Sequence, residues 1–206
     1  MNEYYIFGNG QFAELLKLLL EEEKKIKTNK IFFVTKKKIN KKNHLHEKDF
    51  FKIRKRTNVF IGIGNIKPRI KILNILLNGN YNFPNFISKK SYIMKKVKIG
   101  VGNIILPNTN ILSPTKIGNF NILGVNSNIL HHCDIRSNCL IGGGTLVGSG
   151  TKIEKNVFIG VGTTIKSNSP EKIKIGENSF VCSGSVIFSD VLNNSKVIGN
   201  PARKIL

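Results

Sequence analysis

Tryptophan is absent from the 206 residues, methionine occurs twice and cysteine three times. The three cysteines, an odd number and all in the C-terminal half, do not form a disulfide framework, which places the protein in a reducing cytoplasm. No apolar run approaches the roughly 18 residues needed to span a bilayer, so no membrane insertion is expected. The opening MNEYYIFGNG runs straight into a strand pattern and lacks the basic and apolar regions of a secretory leader. Carboxylates are scarce: 12 Asp and Glu stand against 33 Lys and Arg, for a net charge of +21.

That charge does not by itself call for a nucleic-acid partner. Lys, Asn and Ile are over-used together, the pattern of a biased genome. The basic residues are scattered apart from residues 36–42, and they are mostly Lys, which lacks the two-point grip of Arg on bases and phosphates. No zinc-finger, helix-turn-helix or RNA-recognition motif is visible. No nucleic-acid role is expected, although a positive field still draws in small anions. A 40% hydrophobic content supplies a packed core for one or two small domains.

What the chain does have is a repeat. From residue 99 to residue 187 a bulky aliphatic residue returns every six positions: Ile99, Ile105, Ile111, Ile117, Leu123, Ile129, Ile135, Ile141, Val147, Ile153, Ile159 and Ile165, then Ile175, Val181 and Ile187 after a four-residue insertion at 167–170. Helices repeat at 3.6 and strands at 2, so a period of six marks a parallel β-helix whose hexads are the flat sides of a coil. Fifteen such positions at three per coil make about five coils. Gly or Asn follows the aliphatic residue where the chain bends and φ is free to be positive, as at Gly100, Gly118 and Gly142. Two positions before it the residue is small or β-branched, as at Thr109, Ser127, Cys133 and Thr163.

The first 83 residues read differently. Tyr4-Tyr5-Ile6-Phe7 is a short strand that breaks at Gly8-Asn9-Gly10-Gln11-Phe12-Ala13, and leucines 15, 16, 18, 19 and 20 then mark a buried helix. Strand, glycine turn and helix fit a phosphate-binding βα unit. A second strand over 30–35 lacks the acidic residue that grips a dinucleotide ribose, which argues against NAD. A third strand over 58–63 ends at Gly64, and a helix follows over 68–77. This alternation describes a small parallel sheet whose ligand sits beyond the carboxyl ends of its strands, at Gly10, Gln11, Phe12, Thr35, Lys36 and Gly64. Residues 78–96 lead into the solenoid, and Gly199-Asn200-Pro201-Ala202 closes the chain as a cap.

Only four histidines are present. His44 and His46 fall in a Lys-rich loop and read as solvated. His131 and His132 interrupt the solenoid after Ile129, and in an extended segment only one of two neighbours can face a given cleft. Adjacent histidines diverge as metal ligands and no Cys-x-x-Cys accompanies them, so no metal is expected.

Four pieces, IFGNGQFAE at 6–14, FIGIGNIKPR at 60–69, ILHHC at 129–133 and IGNPAR at 198–203, together with the hexads, resemble the bacterial sugar acetyltransferases. These include sialic acid O-acetyltransferase and the N-acetyltransferases of nucleotide-linked 4-amino sugars. The resemblance implies an α/β N-terminal Rossmann-like domain (1–83) that binds the nucleotide-sugar acceptor, followed by an all-β left-handed parallel β-helix (84–206) that carries out acetyl transfer. It implies a cytoplasmic homotrimer using acetyl-CoA as co-substrate to acetylate the amine of a nucleotide-linked 4-amino-4-deoxysugar for surface glycan synthesis. Sialic acid O-acetylation is the alternative within the class, and a non-catalytic trimeric scaffold the alternative outside it.

Transfer to an amine needs a base near neutral pH, and imidazole suits. The family motif Ile-Glu-His-Asp/Glu-Cys aligns with Ile129-Leu130-His131-His132-Cys133, which carries the base onto His131 and puts His132 where a carboxylate usually stands. A second family histidine falls on Leu140, and an Asn seven residues before the base is Gly124. The resemblance carries acetyl-CoA contacts onto Leu140, Val161 and Ser183, with Gly142, Gly143 and Gly144 leaving room for close approach. A backbone N–H near Ser149 would meet the oxyanion. Cys133, Cys139 and Cys182 read as structural.

Overall fold

The computed structural model describes residues 3–53, 55–167 and 172–205, and the chain divides into two compact units, Met1–Pro84 and Asn85–Leu206. The first contains β1 (Tyr4–Phe7), α1 (Gln11–Lys24), β2 (Ile31–Thr35), β3 (His44–His46), α2 (Glu47–Phe50), β4 (Thr57–Ile61), α3 (Ile66–Leu76) and β5 (Tyr81–Asn82). Its five strands pair in parallel in the order β3-β2-β1-β4-β5. The chain moves from β1 to β2 on one side and returns to β4 on the other, which opens a crevice at the carboxyl edge of the sheet.

Several expected details change. Of the five leucines in α1 only Leu16, Leu19 and Leu20 are buried, whereas Leu15 and Leu18 are 41% and 59% exposed, because a helix on a sheet hides one stripe and not its whole circumference. The positive φ falls at Gly8 (112°), while Gly10 is extended and serves as the N-cap of α1. Close packing comes from Gly62, where a Cβ would stand 2.8 Å from the Ala13 Cβ. The third strand stops at Ile61, and α3 starts two residues earlier than expected because the Asn65 side chain accepts the Lys67 amide at 3.1 Å and caps it. His44 and His46 lie in a strand and not in a loop: β3 pairs with β2, and the His46 imidazole accepts the Lys48 amide at the start of α2.

The second unit is a parallel β-helix built from two-residue strands. Three faces recur in turn. The first carries Phe86–Ile87, Ile104–Ile105, Ile122–Leu123, Leu140–Ile141, Phe158–Ile159 and Phe180–Val181; the second runs from Tyr92–Ile93 through Asn128–Ile129 to Val186–Ile187; the third runs from Lys98–Ile99 through Asp134–Ile135 to Lys174–Ile175. The second residue of each strand points inward. From Ile105 to Ile187 these side chains are 3% exposed or less and form one continuous column of contacts. Burying each is worth about 1.5–3 kcal/mol, and every coil covers the next.

The hexads start earlier than expected, since Ile87 and Ile93 already occupy the inward position. The segment 78–96 supplies β5 and then the first strands of the solenoid, which exceeds five coils. Pairing such as Ile135 with Ile153 gives way to Ile153 with Ile175, so the insertion lengthens one coil without breaking register. Positions 168–170 of that insertion lie outside the described residues. At the end, strands Lys196–Gly199 and Ala202–Lys204 form an antiparallel hairpin.

The corners agree with expectation in part. Positive φ occurs three residues after the inward aliphatic side chain, at Asn108, Asn126, His132, Asn138, Gly144, Asn156, Gly162, Asn178 and Gly184. Asn138, Asn156 and Asn178 are among the expected bend positions, whereas Gly100, Gly118 and Gly142, one residue after it, are not in the left-handed region. The glycine that follows the aliphatic residue answers a different need: a Cβ on Gly142 would stand 2.5 Å from the backbone nitrogen of Val161 in the next coil. It is a packing glycine. The small residues two before the aliphatic position satisfy corner carbonyls, as when the Thr109 hydroxyl donates to Leu106 at 2.8 Å and the Thr151 hydroxyl donates to Gly148 at 2.6 Å.

Candidate active site

His131 and His132 sit on the corner between the second and third faces, bracketed in the stack by Ser113-Pro114 and Ser149-Gly150. The His132 amide donates to Pro114, and the Gly150 amide donates to the His131 carbonyl at 3.0 Å, so the corner is tied to both neighbouring coils. His132 has φ of 60°, a conformation histidine tolerates better than most side chains. The expectation that the two rings point to opposite sides fails for this reason: the pair lies in a tight turn and not in extended chain. Both are exposed, their rings stand at 85°, and their Nδ1 atoms are 2.7 Å apart.

The other nitrogen of His131 faces Ser149. Its Nε2 lies 3.2 Å from the Ser149 Oγ, one coil on. Ser149 thus meets His131 through its hydroxyl. Asp134 makes its ion pair with Arg136 at 3.3 Å on the third face. With Nδ1 engaged by His132 and Nε2 beside the Ser149 hydroxyl, the exposed His131 ring can offer an Nε2 lone pair when its proton sits on Nδ1.

A different corner holds Gly142, Gly143 and Gly144, which join the first face to the second. Stacked on them are Val161-Gly162 and then Ser183-Gly184. Amides of Gly144, Gly162 and Gly184 donate at 2.8–2.9 Å to Val125, Gly143 and Val161. These three glycines have φ of 66°, 67° and 70°, are exposed, and have nothing within 4 Å of where a Cβ would be. The result is a bare backbone strip down one edge of the solenoid, where other corners carry asparagine ladders such as Asn138 to Asn156 at 2.8 Å. Leu140 stands apart from the strip: it lies on the first face, buried to 7% exposure between Ile122 and Phe158.

In the first unit a cleft of about 560 Å³ opens beyond β1 and β2. Thr35 and Lys36 line it as expected, together with Asn9, Lys37, Lys38, Lys71 and Glu47, over an apolar floor that includes Ile39 and Ile72. The Thr35 hydroxyl donates to the Lys37 carbonyl at 2.7 Å and fixes the lysine loop. Gly10, Gln11, Phe12 and Gly64 are not among its walls. Lys37, Lys38 and Lys71 were missed, although the basic run 36–42 was a visible signal. Lys71 carried none beyond its place on an amphipathic helix.

Among the described residues, no three His, Cys, Asp or Glu side chains gather as a metal site, and no helix is long and apolar enough to cross a membrane. No protein-family model and no curated protein matches the sequence. Solved structures do. The chain is similar along 100% of both chains to WeeI from Acinetobacter baumannii AYE, at 25% identity and a TM-score of 0.89. It is similar at 17% identity and a TM-score of 0.86 to the acetyltransferase domain of PglB from Neisseria gonorrhoeae FA1090, again over 100% of both chains. It is similar at 18% identity and a TM-score of 0.83, over 100% of this chain and 97% of the other, to a mutant perosamine N-acetyltransferase from Caulobacter crescentus in complex with CoA and GDP-perosamine.

The chain has the fold of the bacterial sugar acetyltransferases. These are the proteins that its N-terminal glycine turn, His-Cys element and closing NPA resemble. Within this sugar acetyltransferase fold the cysteines occupy structural places. Cys133 and Cys139 are buried, and Cys182 is half-buried. Burial pushes the Cys133 thiol up to about 11, and its sulfur donates to the Gly148 carbonyl at 3.3 Å. At pH 8 this thiol is therefore protonated and unreactive in the folded protein. Alkylation with iodoacetamide followed by peptide mass mapping should leave Cys133 unmodified until denaturant is added.

Proposed function

We propose that the protein transfers the acetyl group of acetyl-CoA to the amine of a nucleotide-linked 4-amino-4-deoxysugar, as a cytoplasmic homotrimer. The observation that carries this reading is the His131 imidazole, exposed on a solenoid corner with Nε2 beside Ser149 and Nδ1 engaged by His132. The Nε2 lone pair takes the amine proton as the amine nitrogen attacks the thioester carbonyl. The new C–N bond replaces the C–S bond, and the proton ends on the departing thiolate. The bare strip of Gly144, Gly162 and Gly184, flanked by Gly142, Gly143, Val161 and Ser183, suits the narrow pantetheine arm, because no side chain stands over the backbone at these three corners and the arm can approach it closely. Leu140, on the adjoining face, is the expected donor contact that does not lie on the strip.

The two functional edges belong to different corners of one chain. A second copy, rotated about a threefold axis, would set its strip against His131, which is why the reading requires a trimer of left-handed solenoids. The first unit is read as a Rossmann-like acceptor domain, in which the lysine-lined cleft holds the nucleotide phosphates. The structures of similar fold support this, since the perosamine enzyme holds CoA and GDP-perosamine.

The test is to incubate the purified protein with acetyl-CoA and UDP-, GDP- and dTDP-linked 4-amino sugars while following free thiol. Acceptor-dependent release with one of them supports the reading, and no release with any of them overturns it. Charge reversal in the cleft gives a separate expectation. Lys36→Glu with Lys71→Glu should raise the KM of the nucleotide sugar by about 10-fold or more at low salt, leave that of acetyl-CoA unchanged, and show less difference from wild type at high salt. Initial rates at two ionic strengths check it.

A further inference from the structure

Two imidazole nitrogens 2.7 Å apart cannot both carry hydrogen and cannot both be bare: one donates and the other accepts. His131 and His132 therefore share one proton along that line. The orientation of the sharing is set by what else each ring must do. The second nitrogen of His131 points to the Ser149 hydroxyl one coil on, and a base has to keep that nitrogen unprotonated. This demands Nδ1–H on His131 and a lone pair on Nδ1 of His132.

We propose that His132 is a positioning residue, which fixes the Nδ1–H tautomer of His131 and takes that proton transiently while His131 acts as base. The inference rests on the acetyl-transfer reading above. As Nε2 of His131 receives the amine proton, the Nδ1 proton crosses to Nδ1 of His132, so His131 stays neutral and His132 becomes the imidazolium. When Nε2 passes its proton to the leaving thiolate, the Nδ1 proton returns. Nothing is consumed, and the net transfer is from amine to thiolate. The contact exists because the corner holds His132 at φ of 60° and turns its ring back across that of His131, at a place where the coil above has Gly150 and other corners have asparagine.

That observation also supplies variants that should fold. His132→Gly copies the residue one coil above, and His132→Asn copies Asn126 and Asn138. The tautomer of His131 is read from 15N-histidine NMR at neutral pH with no substrate present. It should be Nδ1–H in the wild type, lose that preference in His132→Gly, and keep it in His132→Asn, whose side-chain oxygen accepts the same hydrogen bond. Turnover separates holding from proton uptake: His132→Gly and His132→Asn should both lose about 10- to 100-fold in kcat with the acceptor KM unchanged, and His132→Glu should recover most of it. A wild-type His131 protonated at Nε2, or a folded His132→Gly with wild-type kcat, would overturn the proposal. Full activity in His132→Asn would overturn the proton uptake. Because the tautomer needs no turnover, a failed search for an acceptor sugar would count against the acetyl-transfer reading and leave this measurement to decide the role of His132.

Discussion

Turnover of His131→Ala should fall by about 10²- to 10⁴-fold, the usual contribution of a positioned general base. The affinity for acetyl-CoA should stay unchanged, because the glycine strip lies on another corner. The fold should not suffer either. His131 is exposed, and its ring meets only exposed or half-buried partners, His132 and Ser149, while the coil is held by the aliphatic column and by backbone bonds such as Leu130 to Val147 at 3.0 Å. Steady-state rates together with a melting curve check both halves. Wild-type turnover in a folded His131→Ala protein would remove the imidazole from the chemistry.

The second large effect concerns the donor. Replacing Gly144 and Gly162 together by asparagine should raise the KM of acetyl-CoA by at least about 10-fold, because the side chains would fill the strip proposed to take the pantetheine arm. The substitution is chosen because the solenoid already accepts it. Asn108, Asn126, Asn138, Asn156 and Asn178 occupy the equivalent corner place with φ between 57° and 61°. The melting temperature should therefore stay within a few degrees of wild type, and the acceptor KM should not move. Calorimetric titration of CoA into the variant checks this directly; unchanged affinity would place the donor elsewhere.

The six-residue period declared the solenoid because each inward side chain has the same neighbours above and below, so one rule repeats along the column. Its ends were harder to read. Ile87 and Ile93 obey the period, but they are partly exposed at the edge of the column and sit among polar residues that look like a linker. The glycines were visible and their two purposes were not: Gly142 is small because the next coil presses on it, while Gly144 is small at a corner that asparagine also satisfies. Composition cannot separate a close approach from a left-handed turn.

The candidate site was legible in part. His131 stood out as one of four histidines, and Ser149 was singled out for its amide although its hydroxyl makes the contact. The ring-to-ring geometry was hidden, since strand alternation forbids it and only the corner turn brings the two Nδ1 atoms together. In the first unit, the rule that ligands lie past strand ends points to Thr35 and Lys36, and both line the cleft. Lys71 joins them from a helix some 35 positions on, a neighbourhood that only the folding of α3 over the sheet creates.

The proposed active site is assembled from two copies, one giving the imidazole corner and the other the bare glycine strip. The direct measurement is to mix the two impaired variants, His131→Ala and Gly144→Asn with Gly162→Asn, under conditions that let subunits exchange, and to assay at acetyl-CoA well below the raised KM of the glycine variant, where each variant alone is slow. Random reassortment leaves about one quarter of the interfaces with both halves intact, so thiol release from acetyl-CoA should recover to about that fraction of wild type. No recovery after demonstrated exchange would mean that base and donor strip act within a single chain, and the shared site would be wrong.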